Sequence, residues 1–175
     1  GHILGACFIE IVMADRYIVF SGDVGRPRDP LLARPEKPER ADILFLESTY
    51  GNRNHQDIDI ESSLQEHVNA AIRETGTCII PSFAVERLQT VMYLLWKLVR
   101  TNRIPNLPIY VDSPLATKLT RVFGEHPEVY DEEAHDNFLE KGINPFKFDY
   151  LRFVKDVEES MRINRKEGPM IVIAA

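Results

Sequence analysis

The sequence predicts an α/β protein in two parts: a small β-rich layer, then a mostly parallel sheet flanked by helices. Three observations carry this. From residue 77 onward, short β-rich runs alternate with stretches of helical period, in the β-α-β-α-β-α-β order of a parallel sheet covered by helices. Before residue 50 the pattern differs, with two β-rich runs separated by only three residues and a third run ending at residue 47. Finally, 175 residues with 44% hydrophobic and 27% charged content provide the core of one globular domain, or of one and a part.

The elements follow in order. CFIEIVM (7–13) and YIVF (17–20), separated by Ala14, Asp15 and Arg16, read as a hairpin, which brings Asp23 back beside Cys7. Gly5 frees the backbone between His2 and the first strand, so His2 and Asp23 can converge. A Pro-rich, mixed-charge connection spans 27–40 and reads as a solvated loop, and ILFLE (43–47) is a strand ending in Glu47. Residues 58–75 carry Ile60, Leu64, Val68, Ala71 and Ile72 at helical spacing, closed by Gly76. CIIP (78–81) is a short strand, and AVERLQTVMYLLWKLV (84–99) is a helix apolar at Leu88, Val91, Leu95 and Leu98. PIYVD (108–112) is a strand, and Ser113-Pro114 starts a helix, with serine as N-cap and proline in the first turn. Helices over 115–123 and 127–141, a strand at 151–154, a helix at 156–166 and a strand at 170–174 complete the pattern.

Asp23, Glu47 and Asp112 all fall at carboxyl ends of strands, where side chains leave the core but stay rigidly held. Each alone is explained by a turn or a cap; the three together point to a site. His2 and Asp23 are the residue types of a hydrolytic metal centre, since imidazole is a metal ligand and a carboxylate can bridge two cations that share a water. In IPSFAVERLQ (80–89) the chain passes from strand to helix, where free N–H groups, the Ser82 hydroxyl and the Arg87 guanidinium could hold a phosphate. An N-cap serine and a helix salt bridge explain the same residues without a ligand, and capping accounts for Ser113.

A net charge of −6 argues against nucleic-acid binding by bulk positive charge, though a locally basic groove stays open. No GxxxxGK[ST], GxGxxG, CxxC, GxSxG or HExxH motif occurs, which removes support for several common enzyme classes. Cys7 and Cys78 lie in apolar runs and are expected to be buried, reduced thiols, with a cytoplasmic location. No membrane span or signal peptide is indicated. The start at Gly1-His2 and the end on a bare apolar strand suggest a piece of a longer chain.

The ordered set GHILGA, FSGD, LESTYG, IPSFAVERLQ and YVDSPLA resembles the metallo-β-lactamase-fold nucleases that carry a β-CASP domain. These include the endonuclease of pre-mRNA 3′-end processing and bacterial and archaeal relatives such as ribonuclease J. The resemblance implies that residues 1–50 are the incomplete C-terminal part of the metallo-β-lactamase αββα sandwich, and that 51–175 are a β-CASP domain truncated at its C-terminal end. It implies that His2 ligates one zinc, that Asp23 bridges two, and that Glu47 is a catalytic-centre acid that hydrogen-bonds a histidine. It places Ser82, Arg87, Asp112 and Ser113 along a substrate cleft. Glu86 stands where the family often has glycine, which reads as a subgroup mark. The implied activity is zinc-dependent hydrolysis of single-stranded RNA, by endo- or 5′-exonuclease action, with a homodimer allowed.

The family's HxHxDH motif and its later histidines are absent from the sequence, and His55, His67, His126 and His135 lack the spacing to replace them. This chain alone is therefore expected to be inactive. Two other readings remain: a metallo-hydrolase of small esters, and a non-catalytic RNA-binding scaffold.

Overall fold

The computed structural model describes residues 2–139 and 142–175. Its first sheet has three strands in the order β1-β2-β3: β1 (Ile9–Met13), β2 (Arg16–Phe20) and β3 (Ile43–Phe45). β1 and β2 pair antiparallel through a two-residue turn, Ala14-Asp15, with φ of 49° and 64°, a geometry that follows the twist of the strands. β3 joins β2 in parallel and stacks Phe45 on Phe20, with ring centroids 4.6 Å apart. Asp42 pins the entry to this pairing, its carboxylate accepting from the Tyr17 N–H at 2.8 Å. Apart from Val19, this sheet has little cover: Ile9, Ile11, Val12, Met13, Leu44 and Phe45 are all exposed.

The second unit contains α1 (Ile60–Arg73), β4 (Thr77–Pro81), α2 (Arg87–Arg100), β5 (Ile109–Asp112), α3 (Pro114–Glu125), α4 (Glu132–Leu139), β6 (Leu151–Phe153), α5 (Val157–Ile163) and β7 (Met170–Ala174). A single 3₁₀ turn, Pro127–Val129, separates α3 from α4. The sheet order is β4-β7-β5-β6 and every pairing is parallel, as the alternating pattern requires. Leu88, Met92, Leu95 and Leu98 of α2 pack with Ile109, Val111, Ile171 and Ile173 of the two central strands. The core extends around α2 beyond the expected apolar stripe, since Gln89, Thr90, Tyr93 and Trp96 are buried while Val91 is only partly so. No helix among the described residues is long and apolar enough to cross a membrane.

Several local expectations change. The helix expected from residue 84 begins at Arg87, because Val85–Arg87 forms a turn with Glu86 at φ 65°. Gly76 does not carry the left-handed stop of α1. Thr75 does, at φ 52°, with Thr75 N–H bonded to Ile72 and Gly76 N–H to Ala71, the paired bonds of a Schellman end. The helix expected over 127–141 is broken into the 3₁₀ turn and α4, and residues 140 and 141 lie outside the described residues. Cys7 is exposed and Cys78 half-buried rather than both buried.

The largest change concerns the connection 27–40, which is not wholly a solvated loop. Leu31 and Leu32 are buried in the core of the second unit. The Asp29 carboxylate accepts from both their N–H groups, at 2.8 and 3.0 Å. Asp131 N–H bonds back to the Leu31 carbonyl and Ala33 N–H to that of Val129, which latches the segment beside Tyr130.

Candidate functional site

The first constellation forms at the ends of the small sheet. Ile3 to Ala6 is a tight turn closed by Ala6 N–H on the Ile3 carbonyl, with Gly5 at φ 88° in the position that demands positive φ. This turn swings His2 toward the end of β2, where its Nε2 lies 3.5 Å from Asp23 Oδ2. Gly22, at φ 56°, makes the approach possible: a Cβ there would meet the Cys7 carbonyl oxygen at 2.7 Å. The sequence pattern placed Asp23 beside Cys7, and the chain does pass there with no room for a side chain.

Glu47 lies two residues beyond β3 and is held from both sides. Its Oε2 accepts from Thr49 N–H at 2.9 Å and its Oε1 from Val24 N–H at 3.2 Å, while its own N–H is bonded to Ser21 Oγ at 3.0 Å. The Thr49 N–H and hydroxyl, then the Val24 N–H, hold the Glu47 carboxyl below its ordinary range, and the neighbouring His2 adds to this. Glu47 is therefore a fixed anion that clasps the residue after Asp23.

The second constellation lies on the carboxyl edge of the parallel sheet. Pro81 at the end of β4 and Asp112 at the end of β5 both register with Ala174 of β7, the strand between them. This brings Ser82, Asp112 and Ser113 to one edge, where open α/β sheets present their functional groups. Ser82 N–H bonds to the Ala174 carbonyl at 2.8 Å. Arg87 opens α2 and is exposed. Asp112 accepts from Ser160 Oγ of α5 at 2.7 Å, so it ties a helix to the strand end. Ser113 is buried and caps α3, its Oγ accepting from Ala116 N–H at 3.2 Å.

Among the described residues no three His, Cys, Asp or Glu side chains converge as a metal-binding group. His67 and His135 lie on α1 and α4, as the helical pattern indicated, and His126 pairs with Glu128 at 2.8 Å. The His2–Asp23 pair supplies an imidazole nitrogen and a carboxylate oxygen on one spot, the donor types that zinc takes. Two donors alone fall short of the four ligands that zinc takes. Sequence reasoning missed that Glu86, at the head of α2, is buried, because nothing local marks an acid for the core.

Comparison with known proteins bears on both constellations. Residues 88–175 match the family described as Beta-Casp domain. Over 99% of its length the chain is 35% identical to a protein named Ribonuclease TTHA0252 from Thermus thermophilus, and it covers 40% of that protein. It is 32% identical over its whole length to Endoribonuclease ysh1 of Schizosaccharomyces pombe, covering 23% of it. It is 31% identical over 99% of its length to Transcription termination factor FttA of Methanosarcina mazei, covering 28%. The chain thus spans less than half the length of the curated relatives it matches.

Proposed function

The chain belongs to the Beta-Casp domain family, and from that premise we propose that it is a segment of a metal-dependent ribonuclease whose two site halves are the constellations above. The observation that carries this reading is the approach of His2 to Asp23 at 3.5 Å beyond the end of β2, with Glu47 bonded to the N–H of the next residue, Val24. The Ribonuclease and Endoribonuclease names of the relatives support RNA as the substrate.

In this reading His2 and Asp23 would hold zinc, together with donors from elsewhere in the intact protein. Bound zinc would supply an activated water and neutralise charge at the scissile phosphate. Asp23 must stay put for this, and the end of β2 with Gly22 against Cys7 is a rigid mount. Glu47 stays ionised and orients an imidazole beside the reacting phosphate. Ser82 and Arg87 contribute a hydroxyl and a guanidinium to the RNA backbone, and the exposure of Arg87 leaves it free to do so. Ser113 and Asp112 act behind them by fixing the ends of α3 and α5 on the sheet edge.

We also propose that residues 1–50 complete a metallo-β-lactamase core with further chain, and that 51–175 form the β-CASP domain. A three-stranded sheet exposing Ile9, Ile11, Met13 and Phe45 to water needs another layer against it. With two donors in place of four, residues 1–175 alone would not cleave RNA. The test is RNA cleavage by the intact, zinc-loaded protein beside Asp23→Asn. Loss of most activity together with part of the zinc supports the reading. Cleavage unchanged by the substitution defeats it, normal zinc without cleavage of RNA or DNA favours a small-ester hydrolase, and absence of zinc binding favours a scaffold.

A further inference from the structure

One fully buried amide lies outside both constellations. Gln89, in the first turn of α2, is 0% exposed. Its Nε2 donates both hydrogens to groups outside its own helix. One goes to the Ala84 carbonyl at 3.1 Å, the other to Oγ1 of Thr120, itself buried on α3, at 3.0 Å. A backbone carbonyl only accepts, so the Ala84 bond fixes the amide with its nitrogen on that side. The amide oxygen, Oε1, is then left buried without a donor among the described residues.

Stability alone does not favour such a group in a core. A buried amide with an unpaired oxygen is costly, and an unbranched apolar side chain of similar length, such as Met, fills the space without that cost. What the amide supplies is position. Ala84 lies midway along the stretch that leaves β4 with Ser82 and enters α2 with Arg87. That stretch contains a turn that needs support: Arg87 N–H bonds to the Val85 carbonyl at 2.8 Å across Glu86, whose φ of 65° and ψ of −63° make a γ-turn of the strained hand. Such a turn persists only where the surrounding structure holds it. Ser82 N–H on the Ala174 carbonyl anchors one end, and Gln89 anchors the middle. Through its second hydrogen Gln89 fastens the same stretch to α3, the helix capped by Ser113 on the same sheet edge.

We propose that Gln89 is a positioning residue: its buried amide locks the stretch 82–87 to α3, and so sets Ser82 and Arg87 in place beside Ser113 for the RNA backbone. The proposal rests on the ribonuclease reading above. In that reading Ser82 and Arg87 hold the RNA backbone before and during the reaction alike. Loosening the lock therefore weakens ground-state and transition-state binding together, which raises KM and leaves kcat nearly unchanged. His2 and Asp23 stand on the other sheet, so the lock has no part in holding metal.

The test uses the intact, zinc-loaded protein as wild type, as the double variant Gln89→Met/Thr120→Val, and as Thr120→Ser. Removing donor and acceptor together leaves apolar groups of matching shape, so the double variant should have an unfolding constant within about tenfold of wild type. Its KM for single-stranded RNA should rise about tenfold or more, as for a misplaced charge-assisted bond, with kcat and zinc content little changed. Hydrogen exchange at the Arg87 amide, which closes the turn, should become faster. Thr120→Ser keeps the acceptor and should match wild type in every reading. Unchanged KM and unchanged Arg87 exchange in the double variant would overturn the proposal. So would a Thr120→Ser variant as impaired as the double one, since packing and not the bond would then be at work. If the double variant does not fold, Thr120→Val alone takes its place, and unmoved readings there overturn the proposal equally. If wild type does not cleave RNA, the ribonuclease reading fails, and exchange at Arg87 alone decides whether the lock exists.

Discussion

Gly22→Ala tests whether the backbone around Asp23 is as constrained as its geometry indicates. Two costs add at this position. The left-handed φ of 56° costs a side chain about 1–2 kcal/mol. The new Cβ would also lie 2.7 Å from the Cys7 carbonyl oxygen, a backbone atom that cannot rotate aside. Relieving that overlap requires β1 and the β2 end to separate, at a further cost of about 1–2 kcal/mol by analogy with overpacked sites. The total of about 2–4 kcal/mol corresponds to an unfolding constant raised roughly thirty-fold to nearly a thousand-fold. Gly142→Ala is the control, because Gly142 has a similar φ of 62° but no atom within 4 Å of a built Cβ. Urea denaturation of the intact protein by circular dichroism, with metal content measured on the same samples, separates the two costs. Gly22→Ala should lose more stability than Gly142→Ala and should lose metal, while Gly142→Ala keeps it. Equal stabilities with unchanged metal content would refute the close-approach argument.

Two other predictions concern the second unit and the acid at the site. Arg103→Ala should cost about 2–3 kcal/mol, because its guanidinium joins Gln65 at 2.7 Å, Ser62 at 3.0 Å and Glu61, tying the loop after α2 to α1. Arg103→Lys should recover only part of this, read from the urea midpoint of Trp96 fluorescence; full recovery would show that charge alone matters. Glu47 is held below its ordinary 4.5 by the Thr49 N–H and hydroxyl and then by the Val24 N–H. Its contribution to stability is therefore present above about pH 4.5 and is lost as pH falls through its lower folded value. A carboxyl-carbon NMR titration should find Glu47 titrating below the exposed glutamates, and an ordinary midpoint would mean those hydrogen bonds do not persist in solution.

Much of the fold was legible along the chain because its signals are local. The switch from paired β-rich runs to alternating strand and helix periods named both sheets, and the Ser113-Pro114 cap marked the start of α3 to the residue. Elements went wrong where backbone conformation overrode composition. The run from Ala84 looks helical, yet Glu86 adopts positive φ and delays α2 to Arg87, and Thr75 takes the stop that Gly76 seemed to offer. The connection 27–40 reads as solvent-facing by charge, but a pair of leucines between the charges is enough to bury it once a core lies alongside.

The sequence by itself determined which residues end strands, and hence that Asp23, Glu47, Ser82 and Asp112 stand at strand ends, because hydrophobic period and turn chemistry act within a few residues. Only the tertiary structure decided which of those ends meet. Inserting β7 between β4 and β5 puts Ser82 and Asp112 on one edge around Ala174, and the Gly5 turn with the bare Gly22 brings His2 within 3.5 Å of Asp23.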